Sequence, residues 1–410
     1  MGEPCLSEPA FWLRDDREDE LARLRREQPV AWQDEPVTDW SQGGRGYWAV
    51  LGHAGVRSAS RDAETFLSGL GTELFELPVE VAQLYSGMLN MDAPRHTRLR
   101  AIVSAAFSPR YVNLLENAVQ RRAAAVVDAV CELGTCDFAS AIAEPFPLAV
   151  ICDMLGVPEQ DRLELARLSR VSVPLGDAEF GTFDDAFQAA LDLIDYAKDL
   201  QRVRRDHPAD DLTTLLMQAD VDGERLTADE AGSFFELLIT AGIETTSASV
   251  AHGMIALCRN PGQRERWQRE GTSVAPSAVE EVLRWSTPVI HFRRTAAVDT
   301  ELAGKPIAAG DKVVLFYHSA NRDEAVFDHP YRFDVGRNPN PHLAFSGGGP
   351  HFCLGAHLAR LEMRVMFHEL FTRLPDLELA AEPEVMHSMF FNGVKSMPVA
   401  FTPGPRAAGR

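Results

Sequence analysis

Apolar positions recur at helical spacing along most of the chain, while strand-like pieces are short and few. Tyr47 to Val50 reads as a strand, followed by a turn and a helix within "LGHAGVRSASRDAETF". Ser68 to Asn90 is irregular and rich in Gly and Leu. Pro94, suited to a first helical position, opens a helix in "APRHTRLRAIVSAAF". Helical periodicity then holds from about residue 110 to 218, interrupted near Gly134, at Gly156-Val157-Pro158, at Pro174-Leu175-Gly176 and at His207-Pro208. Further strands are expected over Val289 to Val298 and Lys312 to Tyr317. No repeat, low-complexity linker or compositional break divides the sequence. The pattern predicts a mainly α fold with a small β region, residues 1–410 forming one domain.

The longest helical segment is "LTADEAGSFFELLITAGIETTSASVAHGMIALCRNP". A capping box, Thr227 to Glu230, starts it and Pro261 stops it. Its ~32 residues would span about 48 Å, enough to cross a domain. Both faces near its middle are apolar, so burial is expected. Yet the centre carries "AGIETT", Ala241 to Thr246. Glycine in mid-helix costs about 1 kcal/mol, and threonine hydroxyls divert main-chain hydrogen bonds and bend helices. Small residues alone would make a packing notch, but they leave the buried acid Glu244 unexplained. A helix opened here lets a small ligand, a hydroxyl and a carboxylate share space.

The stretch "HLAFSGGGPHFCLGAHLARLEMRVMFHEL", His342 to Leu370, is the second unusual feature. Three glycines and a proline precede Cys353, and periodicity then begins with Leu354, Leu358, Leu361, Val365 and Leu370. Cys353 is therefore expected at or just before a helix N-terminus, where unpaired N–H groups and the helix dipole stabilise a thiolate. Such a thiolate is a nucleophile or a metal ligand, although an isolated cysteine is more simply read as buried and structural. A phosphate-binding loop is excluded, because no Lys-Ser/Thr follows the glycines and no apolar β run precedes them. Upstream, Glu281 and Arg284 lie three apart on one helical face. The Asp- and Pro-rich segment from Asn321 to Phe345 is longer than most structureless loops, which at this length are usually functional.

Composition narrows the class. The 410 residues are 45% hydrophobic and 24% charged, ordinary globular material, and the formal net charge of −20 argues against nucleic acid and anionic membranes as partners. The six cysteines are scattered without a CxxC pair, which suits reduced thiols in a cytoplasmic protein and offers no local zinc or iron–sulfur site. The first residues lack the basic and apolar regions of a signal peptide, and no apolar run reaches the length of a membrane anchor.

Taken in order, four features resemble the cytochrome P-450 family of bacterial haem-thiolate monooxygenases, over essentially the whole chain. "AGIETT" looks like the oxygen-activation motif, within a central helix at 227–260. "EVLR", Glu281 to Arg284, is similar to the Glu-x-x-Arg pair, and the Asp/Pro-rich segment resembles the meander. "FSGGGPHFCLG" looks like the haem-binding loop, at 343–355. The family pattern Phe-x-x-Gly-x-(Arg/His)-x-Cys-x-Gly fits His351, Cys353 and Gly355, but Phe345 lies one residue early and Ser346 occupies the aromatic position. A one-residue insertion in the glycine run accounts for this.

The resemblance implies a long central helix over haem b (iron protoporphyrin IX), with Cys353 as the axial metal ligand and the glycines passing close to the flat macrocycle. Phe345 would shield the sulfur and Gly355 would lie beside it. Thiolate ligation favours O–O cleavage. Glu244 and Thr245 would form the acid–alcohol pair that delivers protons to dioxygen, with Ala241 and Gly242 making room for it. His96, Arg100, Arg294 and His351 would bind the haem propionates. Glu281 and Arg284 would lock a helix to the meander.

The expected reaction inserts one atom of O2 into an apolar molecule of terpenoid, steroid, lipid or polyketide type. The expected pocket is formed by Ser68–Asn90, Val171–Phe183, Leu238, Ala241, Val289, Ile290, Phe292 and the "MFFNGV" segment, with few charged groups inside. With no fused reductase expected, electrons would come from a separate ferredoxin and an NAD(P)H-dependent ferredoxin reductase. Arg95, Arg98, His357, Arg360 and Arg364 would form the docking face. A peroxygenase, an oxidative coupling enzyme and a non-enzymatic haem sensor are the rival readings; the acid–alcohol pair argues for dioxygen with delivered protons.

Overall fold

In the computed structural model the described residues are 5–38, 41–76, 87–172, 177–220, 223 and 225–407. Helix Ala228–Arg259 runs through the core as one element of 32 residues. Its start follows from the capping box: the Thr227 hydroxyl accepts from the Glu230 N–H at 3.1 Å, and the Glu230 carboxylate accepts from the Thr227 N–H at 3.0 Å. Helices Pro145–Leu155, Phe183–Asp206, Ala275–Ser286 and Ala356–Arg373 pack around it. Their apolar faces merge into one core containing Ile239, Met254, Val282 and Phe367. Gly253 permits the closest of these approaches, since a Cβ there would stand 2.7 Å from Phe367 and 2.8 Å from Val282.

The central helix is not broken at "AGIETT". The Thr245 hydroxyl donates to the Ala241 carbonyl at 2.6 Å, and a Cβ on Gly242 would meet Ile151 at an ordinary 3.5 Å. The expected opening is thus a redirected hydrogen bond rather than a gap, because packed neighbours hold the backbone helical.

Elsewhere the helical stretch resolves into Glu116–Val130, Pro145–Leu155, Arg162–Ser172, Phe183–Asp206 and Leu212–Gln218, among shorter pieces, with its interruptions where the sequence predicts them. The Pro174-Leu175-Gly176 break lies outside the described residues. Pro94 caps its helix rather than starting it, and the helix runs Arg95–Ser104. Strands Val30–Gln33, Tyr47–Val50, Lys312–Phe316, His291–Ala296 and Phe66–Leu67 form a sheet in that order. The middle three are predicted; the two edge strands are not. Val313 stands opposite Arg294, which places the latter in the sheet interior. Among the described residues no helix is long and apolar enough to cross a membrane.

Glu281 and Arg284 are fully buried, not the surface pair their spacing would also allow. Arg284 bonds both carboxylate oxygens at 2.8 Å and donates to the carbonyls of Asn321 and Pro330 at 2.9 Å and of Arg332 at 3.4 Å. Glu281 also accepts from the Asp334 N–H at 2.9 Å and from Arg337 and Asn340 at 3.1 Å. The irregular segment is thereby fastened to helix Ala275–Ser286, as expected.

Candidate active site

Cys353 is held in a closed loop. Its N–H donates to the Phe345 carbonyl at 3.1 Å, and helix Ala356–Arg373 begins after Gly355, its N-cap. Ser346 has a φ of 78°, followed by Gly348 at 99° and Gly349 at 79°, so the loop turns sharply where the sequence departs from the family pattern. The glycines serve a purpose the sequence does not reveal. A Cβ on Gly347 would stand 2.7 Å from the Ser60 hydroxyl and 2.8 Å from the Arg57 Cα, and one on Gly349 would collide with the Ser60 carbonyl. They fit the loop to helix His53–Arg61, which corrects the expectation that they make room for a flat ring. Gly355 does face open space: a Cβ there would meet nothing within 4 Å.

Cys353, Gly355, Phe345 and His351 line a cavity together with Ala241, Gly242 and Thr245 of the central helix and His96 and Arg100 of helix Arg95–Ser104. Nine predicted site residues therefore meet around one space. Glu244 and Arg294 are not part of its lining.

The rim of this cavity is cationic. The His96 and His351 rings lie 4.2 Å apart between centroids, and His96 Nε2 is buried without a hydrogen-bond partner. Arg100 donates to the Phe352 carbonyl at 2.5 Å. Arg294, only 3% exposed, donates to the Arg293 carbonyl at 2.7 Å and pairs with no carboxylate among the described residues. Its neighbour Arg293 turns away to the Gly71 carbonyl at 3.1 Å. Burial, with Arg294, His96 and Arg100, pushes His351 down to about 3; burial and then Arg100 lower His96. Asp92 acts on His96 in the opposite sense, but its oxygens are held by the Ser68 and Gly69 N–H groups, each at 2.8 Å. Both imidazoles are thus held neutral beside the Arg100 and Arg294 cations, and an anionic ligand would relieve that crowding.

Burial pushes the Cys353 thiol up, against the Gly355 N–H, Arg100, Arg360 and the Ala356 N–H. The N–H groups at the helix start lower the thiol, as expected, and burial works against them. A coordinated metal cation reverses that balance, since a ligating thiol loses its proton. Burial pushes the Glu244 carboxyl up to about 7, with Arg170 opposing. Arg170 is ion-paired with Glu144 and 41% exposed, so the acid adjoins a group that reaches the surface.

A second chamber shares Ala241, Thr245, Val289 and Phe292 with the first and extends to Phe390 and Phe391. Val289, Phe292 and Leu238 line these spaces as predicted, whereas Ile290 is 2% exposed and packs in the core beneath the sheet. Of the two expected loop walls, Glu73, Gly87, Leu89, Asn90, Ser172 and Phe183 contribute. Residues 77–86 and 173–176 lie outside the described set. Glu73 and Glu236 are the charged groups in this lining, and sequence reasoning missed both. The signal for Glu236 was present, a lone acid in the apolar run "FFELLIT", and is the same signal that singled out Glu244.

The expected docking cations are already paired. Arg360 bonds Glu280 at 2.6 and 2.8 Å, Arg364 bonds Glu116 at 3.2 Å, and Arg95 and Arg98 reach Glu230 at 3.4 and 2.7 Å. In so acidic a chain each finds a carboxylate, which weakens the basic face the sequence suggested; His357 remains exposed.

The cytochrome P450 family description matches residues 160–389. The methyl-branched lipid omega-hydroxylase of Mycobacterium tuberculosis is 44% identical over 398 residues, covering 96% of this chain and 93% of the relative. The steroid C26-monooxygenase of Mycolicibacterium smegmatis is 39% identical, covering 95% and 92%. Among solved structures, a Mycobacterium marinum cytochrome P450 in complex with pseudoionone superposes with a TM-score of 0.92 at 40% identity, over 98% of this chain and all of that one. With a thiol loop, a long central helix and a cationic rim around one cavity, the chain belongs to the cytochrome P450 family of haem-dependent monooxygenases.

Proposed function

We propose that this chain is a single-domain haem-thiolate monooxygenase that binds haem b through Cys353 and inserts one oxygen atom of O2 into an elongated apolar molecule of lipid, terpenoid or steroid type. The convergence of nine predicted residues on one cavity carries this reading. The residues suit haem on three counts. The open cradle beside Gly355 accepts a flat ring, the unpartnered His96 Nε2 and the carboxylate-free Arg294 await anions, and Cys353 supplies a soft ligand. Haem bound there supplies the activation of dioxygen and its transfer to substrate.

The chain's own groups do the rest. His96, Arg100, Arg294 and His351 bind and orient the propionates, and Phe345, stacked under the Arg360 guanidinium at 4.5 Å, covers the sulfur side. Thr245 holds a proton at its hydroxyl between the Ala241 carbonyl and the cavity. Glu244, near 7 and beside the surface-reaching Arg170, resupplies that proton from solvent, which favours dioxygen over a peroxygenase cycle. Substrate is held by Val289, Phe292, Phe390 and Phe391. The names of the hydroxylating relatives support a lipid or steroid. A ferredoxin and its NAD(P)H-dependent reductase deliver electrons, and the six unpaired cysteines suit a reducing cytoplasm.

The test is the carbon monoxide spectrum of the reduced protein. Wild type gives the strongly red-shifted Soret band of thiolate ligation, and Cys353→Ala loses it. An imidazole-type band in wild type, or no change in the variant, refutes the reading.

A further inference from the structure

Two acids stand in a chamber wall whose other residues are uncharged. Glu236 is 9% exposed and shares its chamber with Leu237, Thr240, Ala241 and Thr245. Glu73, from the irregular segment after strand Phe66–Leu67, lines the same chamber. Neither carboxyl has an ion-pair partner among the described residues. Arg293, the charged neighbour of Glu73, donates to the Gly71 and Leu70 carbonyls. The Thr240 hydroxyl beside Glu236 donates to the main-chain carbonyls of Glu236 and Leu237, at 3.0 and 3.3 Å. Among the described residues that hydroxyl is also the one side-chain group that eases the Glu236 carboxyl, so a carboxyl set in this wall without an ion pair gains from a ligand that hydrogen-bonds it.

Position adds to chemistry. Glu236 precedes Thr245 by nine residues on one continuous helix, a rise of about 13 Å. About two and a half turns also set them on opposite sides of the helix, yet both line one chamber, so a molecule touching both is long and follows the chamber around the helix, with one polar end. We propose that Glu236, with Glu73, anchors a hydroxyl group at one end of an elongated apolar substrate and so delivers the opposite end to Thr245. The inference rests on the monooxygenase reading above and names the head group it takes.

A hydroxyl fits better than a charged head. Burial pushes both carboxyls up to about 7, so near neutrality each is part acid and part carboxylate. An alcohol donates to a carboxylate and accepts from an acid, and so satisfies either form. A carboxylate head is repelled once either glutamate ionises, and a quaternary ammonium donates no hydrogen bond.

The haem-loaded enzyme is titrated with dodecanol, dodecyl methyl ether, dodecyltrimethylammonium and dodecanoate, reading the spin shift of the iron, and the dodecanol products are mapped. Dodecanol is expected to bind about tenfold or more tighter than the ether, and oxygen to enter at the end remote from the hydroxyl. Glu236→Leu brings alcohol and ether within about twofold of each other and scatters the site of oxidation. Glu236→Gln, which still donates and accepts, keeps part of the preference. Both variants are first shown to retain the thiolate Soret band, so that lost folding is not mistaken for lost anchoring. Equal binding of alcohol and ether by wild type overturns the proposal, as does a preference for the ammonium or the carboxylate. If no compound shifts the spin state or is oxidised, the apolar-substrate reading itself fails and the anchor falls with it.

Discussion

Replacing Arg284 by lysine keeps the positive charge and removes the planar fork. In the native protein the guanidinium serves five acceptors: two oxygens of Glu281 at 2.8 Å and the carbonyls of Asn321, Pro330 and Arg332. An ammonium group can face Glu281 but cannot also reach the carbonyls around it. Each buried carbonyl left without a donor costs about 1–3 kcal/mol, so losing two of the three costs roughly 2–6 kcal/mol. Arg284→Ala, which cuts a buried ion pair, is expected to cost about 3–5 kcal/mol. Glu281 keeps the Asp334 N–H, Arg337 and Asn340, so the damage is concentrated at Asn321 to Arg332. Against a total stability of about 5–15 kcal/mol, either loss is large. Urea unfolding followed by far-ultraviolet circular dichroism gives the magnitude, and amide exchange over residues 321–340 gives the location. Lysine and alanine should destabilise to a similar degree, with early exchange in that segment. A lysine variant within about 1 kcal/mol of wild type beside a crippled alanine variant would refute the argument, because charge rather than the fork would then be what matters.

Thr245→Ala removes the hydroxyl that donates to Ala241 but leaves the substrate wall. Substrate should still bind and NAD(P)H still be consumed, with peroxide released and product per NAD(P)H down about tenfold or more; full coupling would assign proton delivery to another group. Burial pushes Glu362 up to about 8, the Thr246 hydroxyl opposing, and Glu73, Glu236 and Glu244 up to about 7. Each holds its proton in the folded chain where the unfolded chain has released it, so stability should fall with rising pH. Below the ordinary histidine value of 6.5, buried neutral His252 and His291, lowered by burial to about 4 and 3, oppose this trend. The decline should therefore appear between about pH 6.5 and 8 in thermal melts and be reduced by Glu362→Gln; stability that rises across that window contradicts the assignment.

What could be read from the sequence was local. Thr227 and Glu230 cap their helix as spelled, and Tyr47 to Val50 and Lys312 to Phe316 pair as strands because short runs of β-branched and aromatic residues favour the extended chain. Glu281 and Arg284 were legible as a pair, but the carbonyls that bury them come from a segment with no periodicity. The site residues of the thiol loop and the central helix were found because each sits in a short motif. Glu73 and Glu236 were missed because their meaning depends on a wall assembled from distant elements, and the purpose of the glycines was misread for the same reason. The paired state of Arg360 and Arg364 likewise rests on Glu280 and Glu116, which nothing in the local spacing connects to them.

The fit of Gly347 and Gly349 against Ser60 joins two stretches that the rest of the sheet and the central helix separate along the chain. Arg61 adds a bond from its Nε to the Gly347 carbonyl at 3.2 Å. For recombination between relatives, these stretches behave as one heritable block. A chimera that takes the cysteine loop from one parent and helix His53–Arg61 from another inherits a mismatch unless residues 57 to 61 travel with the loop. For laboratory evolution the same coupling is a handle: Ser60 and Arg61 do not line the cavity, yet they set the seat of the loop that carries Cys353.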